Sequence, residues 1–336
     1  MANPILAEAT RGGQVESRHE GAFAVVDADG RLVLSEGDIT RPIFPRSAVK
    51  VMQALPLIES GAADRFGFGN RELALACASH SGEPAHAELA SAKLAKAGLD
   101  LEALECGAHW PTRQEAMAEL ARTGARPSAL HNNCSGKHSG FLCACTHLGM
   151  NHRGYVKIGH DYQKLIAETM TEVTGVAHTQ ANSGIDGCSI PTYAVPLQNL
   201  AAAFANLVSG QGLSRERAAA ARRLIDACMA EPFLVAGTDR VDTDIMTAGS
   251  GRIFIKVGAE GVYCGALPEL GLGFALKIDD GAVRAGEAAI AGLLAKLLGS
   301  DEALAARMGD FASVTMRNWN GIEVGQVRAA GPLAIS

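Results

Sequence analysis

A chain of 336 residues that is 48% hydrophobic and 20% charged, with 38 glycines, has material for a large core and the loop content of an enzyme. Its net charge of −6 and pI near 5.9 give no electrostatic reason to bind nucleic acid or an anionic membrane. No apolar run is long enough to cross a bilayer, eight cysteines fall short of disulfide-scaffold density, and the first residues show no basic n-region before an apolar run. Reduced thiols and a cytoplasmic location are therefore expected.

In chain order, residues 22–27 (AFAVVD) and 31–35 (RLVLS) flank Ala28-Asp29-Gly30 and predict a β-hairpin. Ser47–Ile58 (SAVKVMQALPLI) is apolar at helical spacing on nearly every side. The exceptions, Ser47, Lys50 and Gln53, form one polar stripe, so a buried helix is expected, kinked or shortened at Pro56. Helices follow at about 70–77, 84–97 and 113–123, with SHSGEP (79–84) between the first two. The polar block His131-Asn132-Asn133-Cys134-Ser135-Gly136-Lys137-His138-Ser139-Gly140 leads into an apolar helix closed by Gly149. Helices at about 161–174, 196–208 and 214–230 bracket a second Gly-rich block, 182–191 (NSGIDGCSIP), and 237–246 reads as a loop. Strands return at 252–257, 261–266 and 272–278 as an antiparallel meander, then a helix at 282–298 and a strand at 322–328.

Strands at both ends with helices between them predict an α+β fold. One antiparallel sheet is built from about 1–45 and 250–336, and a helical part over about 46–249 is inserted between the strand groups of a single domain. Neither a G-x-G-x-x-G after a strand nor a G-x-x-x-x-G-K-[ST] is present, so nucleotide binding has no support.

Chemistry has four candidate seats. Ser47 and Lys50 have the S-x-x-K spacing of serine acyl-transfer enzymes, in which a desolvated lysine takes the serine proton. The spacing alone arises about once by chance in a chain this size, and the bland alternative is a cap serine and a surface lysine. Lys256 lies in Lys-Val-Gly on a late strand, the order in which serine β-lactamases and penicillin-binding proteins carry K-T-G; an edge-strand lysine is the alternative. Ser79, in S-H-S-G-E, is either a turn residue or a second hydroxyl. No Ser-x-Asn occurs anywhere, which argues against β-lactam hydrolysis. Cys134 and Cys188 sit in polar glycine loops, unlike the other six cysteines, which read as small core residues. Two thiolates and a nitrogen donor suit zinc, but without a C-x-x-C reduced structural thiols remain an alternative.

Five blocks together, PRSAVK, SHSGE, HNNCSGKHSG, GIDGCSIP and KVGAEGVYCG, resemble the rhizobial-type (class 3) L-asparaginases from about residue 10 to 330. The resemblance implies a serine β-lactamase/glutaminase-like fold, a homodimer, and hydrolysis of L-asparagine to aspartate and ammonia. It implies two Ser–Lys pairs, Ser47 with Lys50 and Ser79 with Lys256, and zinc held by Cys134, Lys137 and Cys188. Residue chemistry alone would not choose Lys137 over His138 as the nitrogen ligand. Asp186 is the candidate contact for the substrate α-ammonium group, with an Asx-turn role as its alternative, and His138 is a second candidate substrate contact. Spacing leaves open which serine attacks. The rival functions are a serine glutaminase, a β-lactam-binding acyl transferase, or a non-enzymatic zinc-binding module.

Overall fold

Short apolar runs at both ends of the chain pair into one antiparallel sheet. The computed structural model describes residues 2–335. Its strands are β1 (Ile5–Arg11), β2 (Gln14–Val26), β3 (Leu32–Glu36), β4 (Pro42–Ile43), β5 (Ser183–Ile185), β6 (Pro191–Tyr193), β7 (Val195–Pro196), β8 (Phe254–Gly258), β9 (Val262–Leu267), β10 (Leu272–Ile278), β11 (Ser313–Arg317) and β12 (Glu323–Ala329). Eight of them form the main sheet, in the order β11-β12-β1-β2-β10-β9-β8 with β3 beside β2. The α+β class and the sheet built from both ends agree with the sequence.

The chain divides into two units. The sheet unit comprises Met1–Ala48, Val195–Ala205 and Ile245–Ser336; the helical unit comprises Val49–Ala194 and Asn206–Asp244. In the sheet unit, β8 and β9 are buried along their whole length. Register places Lys256 opposite Cys264, Gly258 opposite Val262 and Gly273 opposite Ala266. Side chains alternate along a strand, so Lys256, Gly258 and Gly273 share one face. A Cβ on Gly273 would fall 2.2 Å from Ala201 O, so the first turns of helix Leu197–Ser209 pack on that face. At Gly258 a Cβ would fall 2.4 Å from Pro45 O and 3.3 Å from the Ala48 Cβ. The segment carrying Ser47 therefore crosses the same face, over the glycine of Lys-Val-Gly.

Local structure departs from expectation in several places. The helix expected over 47–58 is three pieces: a 3₁₀ turn Arg46–Val49 and helices Lys50–Gln53 and Leu55–Glu59. Pro56 has no N–H to continue the ladder, so the chain restarts at Ala54. Residues 237–246 are not all loop, because helix Val241–Gly249 occupies the second half, with Asp242 and Asp244 in its first turn where the helix dipole favours acids. β1, β11 and helix Glu302–Ala312 were not expected.

Gly258→Ala must displace the Pro45 carbonyl. We expect a loss of roughly 1–3 kcal/mol, the usual range for overpacking, read as a lower urea midpoint at unchanged m-value. A midpoint equal to the wild type would show that β8 does not support the Ser47 turn.

Candidate active site

The helical unit gathers most of the singled-out residues around one buried lysine. Lys50 opens helix Lys50–Gln53 and is wholly buried. Its Nζ lies within hydrogen-bond distance of the Ala78 carbonyl, of Ser79 Oγ at 2.9 Å and of Cys134 Sγ at 3.0 Å. Lys50 thus stands beside Ser79, a contact that the Ser47–Lys50 and Ser79–Lys256 pairing did not include.

Ser79 follows helix Asn70–Ala76 in an extended stretch braced on both sides. Its N–H donates to Val235 O at 2.8 Å, and Ser81 Oγ donates to Ala236 O at 2.9 Å. Glu83 accepts from Thr238 N at 2.9 Å and from Thr238 Oγ1 at 2.8 Å. His80 N donates to Asn133 O at 3.1 Å. Its Nδ1 accepts from Gly82 N, so the proton is on Nε2, which donates to Ser135 Oγ at 2.9 Å. Burial first, then His86 and Lys50, keeps this imidazole neutral.

Cys134 caps the start of helix Ser135–His147, and Asn132 fixes it by accepting from Cys134 N at 2.9 Å while donating to Cys106 O and Gly107 O. Lys137, one turn on and 1% exposed, donates to Cys188 Sγ at 3.1 Å. The two thiols push each other apart in pKa: their interaction, opposed by burial and helped by the Lys137 ammonium, pulls Cys188 below the usual thiol range, and the same interaction together with burial pushes Cys134 above it. Burial pulls Lys137 down, but Cys188, Cys134 and Asp186 outweigh it and raise its pKa.

These three side chains fit the expected zinc chemically, since two sulfurs and an amine meet in a buried space. Among the described residues no group of three His, Cys, Asp or Glu side chains is placed to hold a metal, so a lysine nitrogen is needed as third donor. Asp186 Oδ2 lies 3.9 Å from Cys188 Sγ, and its Oδ1 accepts from the N–H of the next residue, Gly187, at 2.8 Å, one residue short of the contact of an Asx turn. His138 is wholly buried, its Nδ1 2.7 Å from the Tyr155 hydroxyl. Lys157, in a second Lys-x-Gly tripeptide, Lys157-Ile158-Gly159, is exposed and lines a cleft of about 510 Å³ with Ile158, Ile185 and Ser189.

Ser47 and Lys256 belong to the sheet unit. Ser47 is half-buried and follows Arg46, whose φ of +53° is a strained value for a side-chain-bearing residue. Lys256 is wholly buried and donates to Val257 O at 2.9 Å, so it is not the solvent-side lysine of an edge strand. Sequence reasoning passed over His80, Asn132, Tyr155 and the Glu83–Thr238 contact; only the unusual polarity of 131–140 pointed toward Asn132.

The L-asparaginase II family model matches residues 7–329, nearly the whole chain. The chain belongs to the L-asparaginase II family. Membership makes it an amidohydrolase, in agreement with the resemblance carried by the five blocks. No curated protein matches it. Among solved structures it is similar to a β-lactamase from Sphaerobacter thermophilus DSM 20745 (11% identity, 85% of this chain and 92% of that one, TM-score 0.40). It is similar also to Mglu (17% identity, 84% and 67%, TM-score 0.37) and to a β-lactamase from Mycobacterium bovis (15%, 79% and 89%, 0.37). Scores this low carry no argument about activity.

Another buried lysine braces the family's H-N-N-C-S-G-K block. Lys93 donates to Gly136 O at 2.8 Å and to Glu72 O at 3.1 Å, and burial lowers its pKa to about 8. Unfolded, the same lysine titrates near 10.4. Between these values the unfolded chain holds more protons, so this group makes stability rise with pH, by at most about 1.4 kcal/mol per unit. Urea unfolding at pH 8 and pH 10 should show a smaller gain for Lys93→Met than for the wild type; equal gains would mean that Lys93 keeps its ordinary pKa.

Proposed function

We propose that the protein hydrolyses L-asparagine to L-aspartate and ammonia through a serine nucleophile served by Lys50. The observation that supports this reading is the buried Lys50 amine, 2.9 Å from Ser79 Oγ, in a chain of the L-asparaginase II family. A serine hydroxyl attacks the carboxamide carbon, its proton passes to Lys50 acting as the neutral amine, and the collapsing intermediate expels ammonia, which takes that proton and leaves Lys50 neutral again. Water then cleaves the acyl-enzyme to aspartate. Ser47, in the S-x-x-K turn, is the proposed nucleophile; Ser79 and Lys256 relay the proton, and Ser79 is the alternative attacker. Asp186 is proposed to receive the substrate ammonium group. Zinc on Cys134, Lys137 and Cys188, when bound, supplies a positive charge beside the substrate. A homodimer belongs to the same proposal.

Ammonia release from asparagine, with glutamine and other small amides as comparison, tests the reaction. Ser47→Ala, Lys50→Ala and Ser79→Ala should each lower turnover by several orders of magnitude, because such parts act as a unit. A serine variant that keeps more than about a tenth of wild-type turnover is not the nucleophile. Lys256→Met should be similarly impaired, whereas Lys157→Met, at the cleft, should not.

Metal analysis of the purified protein should find about one zinc per chain, and Cys134→Ser should lose most of it. Stoichiometric zinc in a Cys134→Ser, Cys188→Ser double variant would sink the proposed ligand set.

A further inference from the structure

Tyr155 is wholly buried and held at both ends. Its carbonyl accepts from Gln163 Nε2 at 2.9 Å and its hydroxyl from Glu105 N–H at 3.0 Å. The hydroxyl also lies 2.7 Å from His138 Nδ1. Because Glu105 N–H already donates to it, the phenol's own proton has one partner among the described residues, His138 Nδ1. Nδ1 is therefore an acceptor, and the imidazole proton sits on Nε2. That Nε2 is buried and has no hydrogen-bond partner. His138 follows Cys134 by one helical turn, so the two lie on the same side of helix Ser135–His147. An N–H buried without a partner is a donor that awaits an acceptor, such as a carboxylate oxygen.

We propose that Tyr155 is a positioning residue that locks His138 as the Nε2–H tautomer, so that His138 serves as a hydrogen-bond donor to a carboxylate of the bound amino acid and not as a metal ligand. The role rests on the proposed function, since it presumes an amino-acid substrate. It also accounts for the nitrogen ligand being Lys137: the lone pair His138 would need is engaged by a phenol, and its other nitrogen carries a proton. Glu105 belongs to the same device, because its backbone N–H fills the phenol's acceptor side and its carboxylate accepts from Gly154 N at 2.8 Å, next to Tyr155. Cys106, the next residue, accepts from Asn132 and so ties this loop to the Cys134 cap.

The test is long-range ¹H–¹⁵N correlation on the full-length, histidine-labelled protein, with the His138 signals assigned by their loss in His138→Gln. The wild type should show a pyrrole-type Nε2 and a pyridine-type Nδ1, and Tyr155→Phe should shift the ring toward mixed tautomers. L-aspartate, the carboxylate probe, should bind about tenfold more weakly to Tyr155→Phe by calorimetry, the loss expected for a misplaced bond to a charged group. His138→Gln should keep its zinc, in contrast to Cys134→Ser. A proton on Nδ1 in the wild type would overturn the proposal. So would unchanged tautomer and aspartate affinity in Tyr155→Phe, or loss of zinc in His138→Gln. Failure of the wild type to hydrolyse asparagine would overturn the functional reading instead, while the nitrogen shifts of His138, measured on the wild type, decide this proposal either way.

Discussion

A fully buried lysine must find an acceptor for each of its N–H groups, and this need organises the helical unit around Lys50. Its acceptors, Ala78 O, Ser79 Oγ and Cys134 Sγ, come from two loops distant in sequence. Both loops would be poor anchors if unsupported, because irregular backbone in a core leaves its own groups unpaired. They are supported. The Ser79 stretch is tied to Val235–Thr238, the Cys134 cap to the Cys106–Gly107 carbonyls, and His80 joins the two through Asn133 and Ser135.

Charge around that lysine is arranged in pairs. Lys137 faces Cys188, whose thiol it helps pull down, Cys134 beside it is pushed up, and the neighbouring imidazoles of His80 and His138 are held neutral by burial. Neutral rings beside the Lys137 ammonium act as directional hydrogen-bond donors and not as further cations.

Much of this was legible before any coordinates. The apolar runs at both ends announced the sheet, the polar stripe on 47–58 drew attention to Lys50, and Lys-Val-Gly on a late strand proved to hold a buried lysine and a glycine that another segment crosses. Hidden from sequence were facts that depend on what lies across a gap. β1 is ILAEATR, with too little β-branched character to stand out, and it is a strand because β2 and β12 flank it. Helix Val241–Gly249 begins in a run of aspartates that reads as loop until the helix dipole is counted. Lys50 beside Ser79, and Lys137 rather than His138 beside Cys188, are tertiary facts, and no periodicity encodes them.

The pairing of β1 with β12 joins Ala7 to Ala329. On a ribosome adding about 5–20 residues per second, the amino-terminal hairpin waits roughly fifteen seconds to a minute for that partner. Meanwhile the helical unit between them is already available to fold, and the free side of β1 remains an open edge, able to template pairing with other chains. Biogenesis of this protein is thus exposed at its beginning until its end is made. Shortening the chain by its final fifteen residues would remove the whole of β12, the neighbour on which its first strand depends.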